Sequence, residues 1–155
     1  MPRSRAASAW QFAGAVSGGG RPPDLGLPEV AFAGKSNVGK SSLINCLTGV
    51  AGLARTSRTP GRTQQINFFT GPERVAFADL PGYGFARVPM AVRQSWKPLV
   101  EGYLQGRETL CALVVIVDAR RGLADEDRAL LDFVADCGRA AVVVANKIDK
   151  LKQGE

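Results

Sequence analysis

The stretch GKSNVGKS, Gly34 to Ser41, follows the pattern G-x-x-x-x-G-K-[ST] between an apolar run and a helical pattern. In that setting the glycines let backbone N–H groups wrap a phosphate chain, and the lysine reaches the outer phosphates. The serine hydroxyl takes a place on Mg²⁺. Gly34, Lys35, Ser36, Asn37, Val38, Gly39, Lys40 and Ser41 are therefore candidate phosphate ligands, with Lys40 nearest the reacting bond and Ser41 on the metal. Two later motifs complete the chemistry. Asp79, Leu80, Pro81 and Gly82 close an apolar run; a carboxylate there can hold Mg²⁺ through water, and the Gly82 N–H can face a terminal phosphate. Asn146, Lys147, Ile148 and Asp149 close the run AAVVVAN. In such an NKxD the aspartate accepts from the ring N–H and the exocyclic amine of guanine, a donor pair adenine lacks, which argues against an ATP-specific site.

If a phosphate bond is cleaved, something must position the water. In DLPGYGF, Tyr83 stands where many nucleotide switches carry a glutamine, and the chain holds no histidine. Between the first two motifs lies ARTSRTPGRTQQ, Ala54 to Gln65, in which Pro60 and Gly61 interrupt any helix or strand pattern. Thr56, Thr59 and Thr63 are all candidate Mg²⁺ ligands there, and spacing does not choose among them.

The elements that must position these motifs alternate in type. EVAFAG reads as a strand, KSSLINCLTG as a helix, and QQINFFT and RVAFADL as strands joined through Gly71 and Pro72. A helix around Val92 to Gln105 follows, with Val92, Trp96, Leu99, Val100, Tyr103 and Leu104 on one face; Pro98 should kink or shorten it. Then come the strand TLCALVVIVDA, a helix around Glu126 to Cys137, and the strand AAVVVAN. Fully apolar strands interleaved with helices predict an α/β fold of three layers, a mostly parallel sheet covered on both faces. QQINFFT and RVAFADL should form one antiparallel hairpin at its edge. Residues 1–27, rich in Ser, Gly, Pro and Arg, read as a mobile tail, although Trp10 and Phe12 could pack an N-terminal strand. Residues 28–155 read as the functional domain.

At 155 residues, 45% apolar and 22% charged, the chain has the composition of one soluble domain. Its longest apolar run, Leu110 to Val117, falls far short of the roughly 20 residues that span a bilayer, so a cytoplasmic protein with no membrane partner is expected. Cys46, Cys111 and Cys137 are odd in number and widely spaced. They read as buried thiols rather than a disulfide frame or zinc site. The net charge of +6 is unevenly placed: residues 1–64 hold eight Lys and Arg against Asp24 and Glu29, and the remainder balances. That excess surrounds the phosphate loop and suggests a polyanion at that face.

AFAGKSNVGKSSLIN, ARTSRTPGRTQQINFF, DLPGYGFARVP, VDARRGL and NKIDKLK together resemble the EngB (YihA/YsxC) family of ribosome-biogenesis GTPases, over about Glu29 to Lys152. The resemblance implies a P-loop GTPase fold with GTP, GDP and Mg²⁺ as ligands. It implies that Gly61, Arg62, Thr63, Gln64 and Gln65 form a switch contacting GTP, with Thr63 the metal ligand. A slow GTPase that assists large ribosomal subunit assembly follows, with ribosomal RNA as partner, no DNA expected, and the family's association with cell division and septation. In relatives with an asparagine at the position of Asn37, that residue helps hold a potassium ion beside the phosphates. The family usually carries Thr-Lys-Ala-Asp where this chain has NKID, the commoner guanine-reading form. After that motif the family continues with a strand, a base-contacting loop and a helix, whereas this chain stops at Glu155. The expectation is thus a C-terminally incomplete domain with AAVVVA at an open edge. A non-hydrolysing nucleotide- or RNA-binding fragment is the alternative.

Overall fold

A computed structural model describes residues 9–55, 64–84 and 90–154, with the backbone alone at 92–93. In chain order the elements are β1 (Gln11–Ser17), β2 (Glu29–Gly34), α1 (Lys40–Thr48), β3 (Gln65–Thr70), β4 (Ala76–Asp79), α2 (Met90–Gly106), β5 (Leu110–Asp118), α3 (Asp125–Asp136) and β6 (Ala140–Asn146), followed by a 3₁₀ turn at Ile148–Lys150. They build one sheet in the order β1-β3-β4-β2-β5-β6. β2 is parallel to β4 and β5, and β5 to β6; β3 is antiparallel to β4 and β1.

The apolar strands bury both faces. Ala31, Ala33, Leu113 and Val115 turn toward Val100, Tyr103 and Leu104 of α2 and Leu130 and Val134 of α3. The alternate residues Phe32 and Ile116 join Ile44 of α1, Phe69 and Trp10 in a second cluster. Because β2, β4, β5 and β6 run the same way, their carboxyl ends at Gly34, Asp79, Asp118 and Asn146 share one end of the sheet, where open α/β sheets bind ligands.

Four expectations need correction. Residues 11–17 are not tail but strand β1. Trp10, 7% exposed, stacks on Phe77 at 4.3 Å between ring centroids, and Phe12 meets Phe69 edge to face, so aromatic contact fixes the strand beside β3. The β3–β4 hairpin forms, but β1 holds the edge outside it. Pro98 lies inside α2, which runs on to Gly106, so the helix is not shortened there; its exposed side of the helix lets water serve the carbonyl that a proline cannot bond. The cysteines are not buried: Cys46 and Cys111 are exposed and Cys137 is half-buried. β6 does form the opposite edge, with Val142 and Val143 53% and 44% exposed.

At the other end of the sheet Glu29 is fully buried. Arg107 donates to both its oxygens, from Nε at 3.0 Å and Nη2 at 2.9 Å, and the Tyr103 hydroxyl donates as well. Arg107 also donates to the Pro23 carbonyl at 2.8 Å and lies 5.1 Å over the Phe68 ring, tying the segment before β2 to the core. Burial, then the Glu29 carboxylate, push the Tyr103 phenol well above its ordinary pKa, so it stays a donor at working pH. Tyr103→Phe should therefore lower stability by about 1–2 kcal/mol, read as a reduced urea midpoint at unchanged slope. An unmoved midpoint would mean that Arg107 alone satisfies Glu29.

Candidate functional site

β2 ends at Gly34, the chain turns through residues 35–39, and α1 begins at Lys40. Two left-handed residues make the turn, Asn37 at φ 64 and Gly39 at φ 97, and no side chain caps the helix start. This concave run of backbone N–H groups at the positive end of a helix suits an anion. Lys40 Nζ reaches across to the Asp79 carboxylate and donates to the Leu80 carbonyl at 2.7 Å. Asp79 is 5% exposed; burial raises its pKa, and Lys40 works against that rise. Leu80 is itself held by its N–H to the Phe32 carbonyl at 3.0 Å. The phosphate-loop lysine and the candidate metal carboxylate are thus already neighbours.

The NKID segment divides into two parts. Asn146 Nδ2 donates to the Val38 carbonyl at 2.8 Å, and Lys147 Nζ donates to the Asn37 carbonyl at 2.6 Å. Both side chains brace the phosphate loop. Gly39 is what allows this approach, because a Cβ on it would collide with the Asn146 amide nitrogen. Ile148 and Asp149 lie on the 3₁₀ turn beyond, exposed, the Asp149 side chain at 74%, with Lys150 Nζ 3.9 Å from its carboxylate. Asp149 is consequently the member of the motif available to a base.

Tyr83 does not face a reacting phosphate. It is 8% exposed, its ring meets Trp96 edge to face, and its hydroxyl donates to Asp127 of α3. Its carbonyl accepts from the Ser36 N–H at 2.9 Å and the Ser36 hydroxyl at 3.2 Å. Burial first, then Asp127, raise its pKa far above the ordinary phenol value. It packs the loop rather than positioning water.

A cleft of about 220 Å³ borders Lys35, Asn37, Gly84, Asp118, Arg120 and Lys147, next to the phosphate loop. A larger hollow of about 680 Å³, between the segment after β1 and the α2 face, carries none of the motifs. Sequence reasoning missed Asp118 and Asp127. Asp118 closes β5 as Asp79 closes β4, accepts from Arg120 at 2.7 Å and lies 3.9 Å from Lys147 Nζ, so it steadies the lysine that holds Asn37. The side-chain bond from Arg120 holds its carboxyl well below the usual range. A carboxylate at the end of a buried parallel strand was the available signal.

Gly61, Arg62 and Thr63, with Thr56 and Thr59, fall outside the described residues. Gln64 is half-buried. Gln65 opens β3 and turns its amide to Asn67 at 3.0 Å; since Asn67 pairs with Asp79, both glutamines lie at the site's end of the sheet. The oxygen donors present, the Ser41 hydroxyl and the Asp79 carboxylate, suit a hard cation such as Mg²⁺. Among the described residues no cluster of three His, Cys, Asp or Glu could hold a metal alone. Likewise no described helix is long and apolar enough to cross a membrane.

A family model described as 50S ribosome-binding GTPase matches residues 29–147. The protein named Probable GTP-binding protein EngB of Syntrophus aciditrophicus is 56% identical over 136 residues, covering 88% of this chain and 69% of that one. The crystal structure of a probable GTP-binding protein engB has a TM-score of 0.66 and 29% identity, over 80% of this chain and 73% of that chain. Era, solved with MgGDPNP and nucleotides 1506–1542 of 16S ribosomal RNA, follows at TM-score 0.57 and 26% identity, over 80% of this chain and 41% of Era.

Proposed function

Because the chain belongs to the EngB family of GTPases, we propose that it binds GTP and GDP with Mg²⁺, hydrolyses GTP slowly, and serves large ribosomal subunit assembly as a nucleotide-switched factor in the cytoplasm. The observation that carries this reading is the brace of Asn146 and Lys147 on the phosphate-loop carbonyls. It couples the base motif to the phosphate motif and leaves Asp149 to accept from guanine. Lys40 serves the outer phosphates; the Ser41 hydroxyl and, through water, the Asp79 carboxylate would hold Mg²⁺, which when bound would neutralise charge on the phosphate oxygens. Gly82 donates its N–H to the terminal phosphate. Thr63, Gly61, Arg62, Gln64 and Gln65 act as the switch that GTP orders. The family's association with cell division and septation is carried as part of the same reading.

An RNA partner is supported by the basic excess of residues 1–64 and by Era, a fold relative solved with ribosomal RNA. The test is single-turnover GTP cleavage alongside co-sedimentation with large-subunit precursors. GTP should be cleaved, and the GTP-loaded protein should pellet with particles. Arg55→Ala, Arg58→Ala and Arg62→Ala together should weaken that binding and flatten its salt dependence, by a slope of about 0.7–0.9 for each phosphate no longer neutralised. Unchanged particle binding would remove these arginines from the interface.

A further inference from the structure

In the segment after β4 most backbone groups have partners. Leu80 gives its N–H to the Phe32 carbonyl at 3.0 Å, and its own carbonyl takes Lys40 Nζ at 2.7 Å. Tyr83 gives its N–H to the Gly34 carbonyl at 3.4 Å, and its carbonyl accepts from the Ser36 N–H at 2.9 Å. Pro81 has no N–H to give, and its carbonyl accepts from Trp96 Nε1 of α2 at 2.8 Å. The donor left over is the Gly82 N–H, which has no acceptor among the described residues.

That donor belongs to the same peptide unit as the carbonyl that Trp96 holds. A trans peptide unit is planar, its C=O and N–H pointing in opposite directions, so a carbonyl turned to α2 sends the Gly82 N–H away from α2. Gly82 itself borders the phosphate loop: a Cβ placed on it would meet the Gly34 carbonyl oxygen and the Ser36 nitrogen, each at 3.7 Å. Trp96 is a firm anchor for this orientation. It stands on a helix whose Val100, Tyr103 and Leu104 are buried in the core, and its ring meets Tyr83 edge to face at 5.5 Å between centroids. An indole N–H only donates, so its bond to the Pro81 carbonyl has one sense.

We propose that Trp96 is a positioning residue for the terminal-phosphate contact: its indole N–H fixes the 81–82 peptide so that the Gly82 N–H is presented to the third phosphate. This rests on the GTP-site reading above and gives α2 a part in telling GTP from GDP. The two bonds reinforce each other, because an anion on the N–H of a peptide unit polarises its carbonyl and makes it a better acceptor for the indole. A diphosphate makes no such contact, so Trp96 should act on GTP and spare GDP.

The experiment compares GDP with a non-hydrolysable GTP analogue on the full chain. Trp96→Phe keeps an aromatic ring beside Tyr83 and removes the indole N–H. It should hold GDP affinity within about twofold and weaken the analogue about 3- to 10-fold, the worth of one hydrogen bond. A second measurement needs only the parent protein, whose indole N–H resonances come from Trp10 and Trp96 alone and are assigned with Trp10→Phe. The Trp96 resonance should move downfield when the analogue replaces GDP, while that of Trp10 stays in place. Equal losses for both nucleotides, no loss for either, or a Trp96 resonance at one position with both nucleotides overturns the proposal. Failure of the parent protein to bind either nucleotide would instead sink the GTP-site reading.

Discussion

Asp149→Asn converts a guanine site into a xanthine site. Asp149 is exposed, on a 3₁₀ turn, with Lys150 Nζ 3.9 Å from its carboxylate and Arg120 also acting on it electrostatically. Its replacement therefore leaves the fold and the brace of Asn146 and Lys147 intact. What changes is the pattern offered to the base: a carboxylate accepts twice from guanine, whereas an amide accepts once and donates once. Xanthine carries an oxygen where guanine carries its amine, and the new donor meets it. Two hydrogen bonds to a charged acceptor, at roughly 1.5–3 kcal/mol each, correspond to a loss of about 10² to 10⁴ in GTP affinity. Titrating the variant with GTP and XTP reads this directly, with an unshifted melting temperature as control. GTP and XTP affinities that both match the parent protein would remove NKID from the base.

The same motif marks where local sequence suffices. AAVVVAN must be a buried-type strand, and the polar residues that follow must emerge at its carboxyl end, so the approach of the three motifs follows from strand direction alone. β1 was harder to see. QFAGAVS alternates weakly around Gly14, where the pairing with β3 shifts register, and its hold comes from Trp10 on Phe77, 67 positions away. What Tyr83 does instead of positioning water was hidden for the same reason, because its partner Asp127 lies 44 residues later. Cys46 and Cys111 misled because thiols are usually buried, yet each falls on an outward position of its element. Long-range partnership and facing are what spacing in one chain does not encode.

With Tyr83 turned into the core, the charge that develops during cleavage must be met by another group, and Asn37 is placed to recruit one. Its backbone is left-handed at φ 64, its carbonyl is taken by Lys147, and its exposed side chain has no hydrogen-bond partner among the described residues. The side chain does not brace the loop. It is free to help hold a monovalent cation, and a potassium ion bound there would supply positive charge beside the phosphates where other GTPases use an arginine. The expected result is faster GTP cleavage in potassium than in sodium at equal ionic strength, by about tenfold or more and short of the roughly 10³ to 10⁵ an arginine finger provides. The informative variant is Asn37→Gly, because glycine accepts the positive φ at no cost while alanine would strain it and confuse loop damage with ion loss. In Asn37→Gly, GDP affinity should persist while the potassium advantage disappears. A variant that keeps the advantage would move the ion site away from Asn37. Equal rates for the parent protein in both salts would eliminate the ion and leave a bound partner as the source of the missing charge.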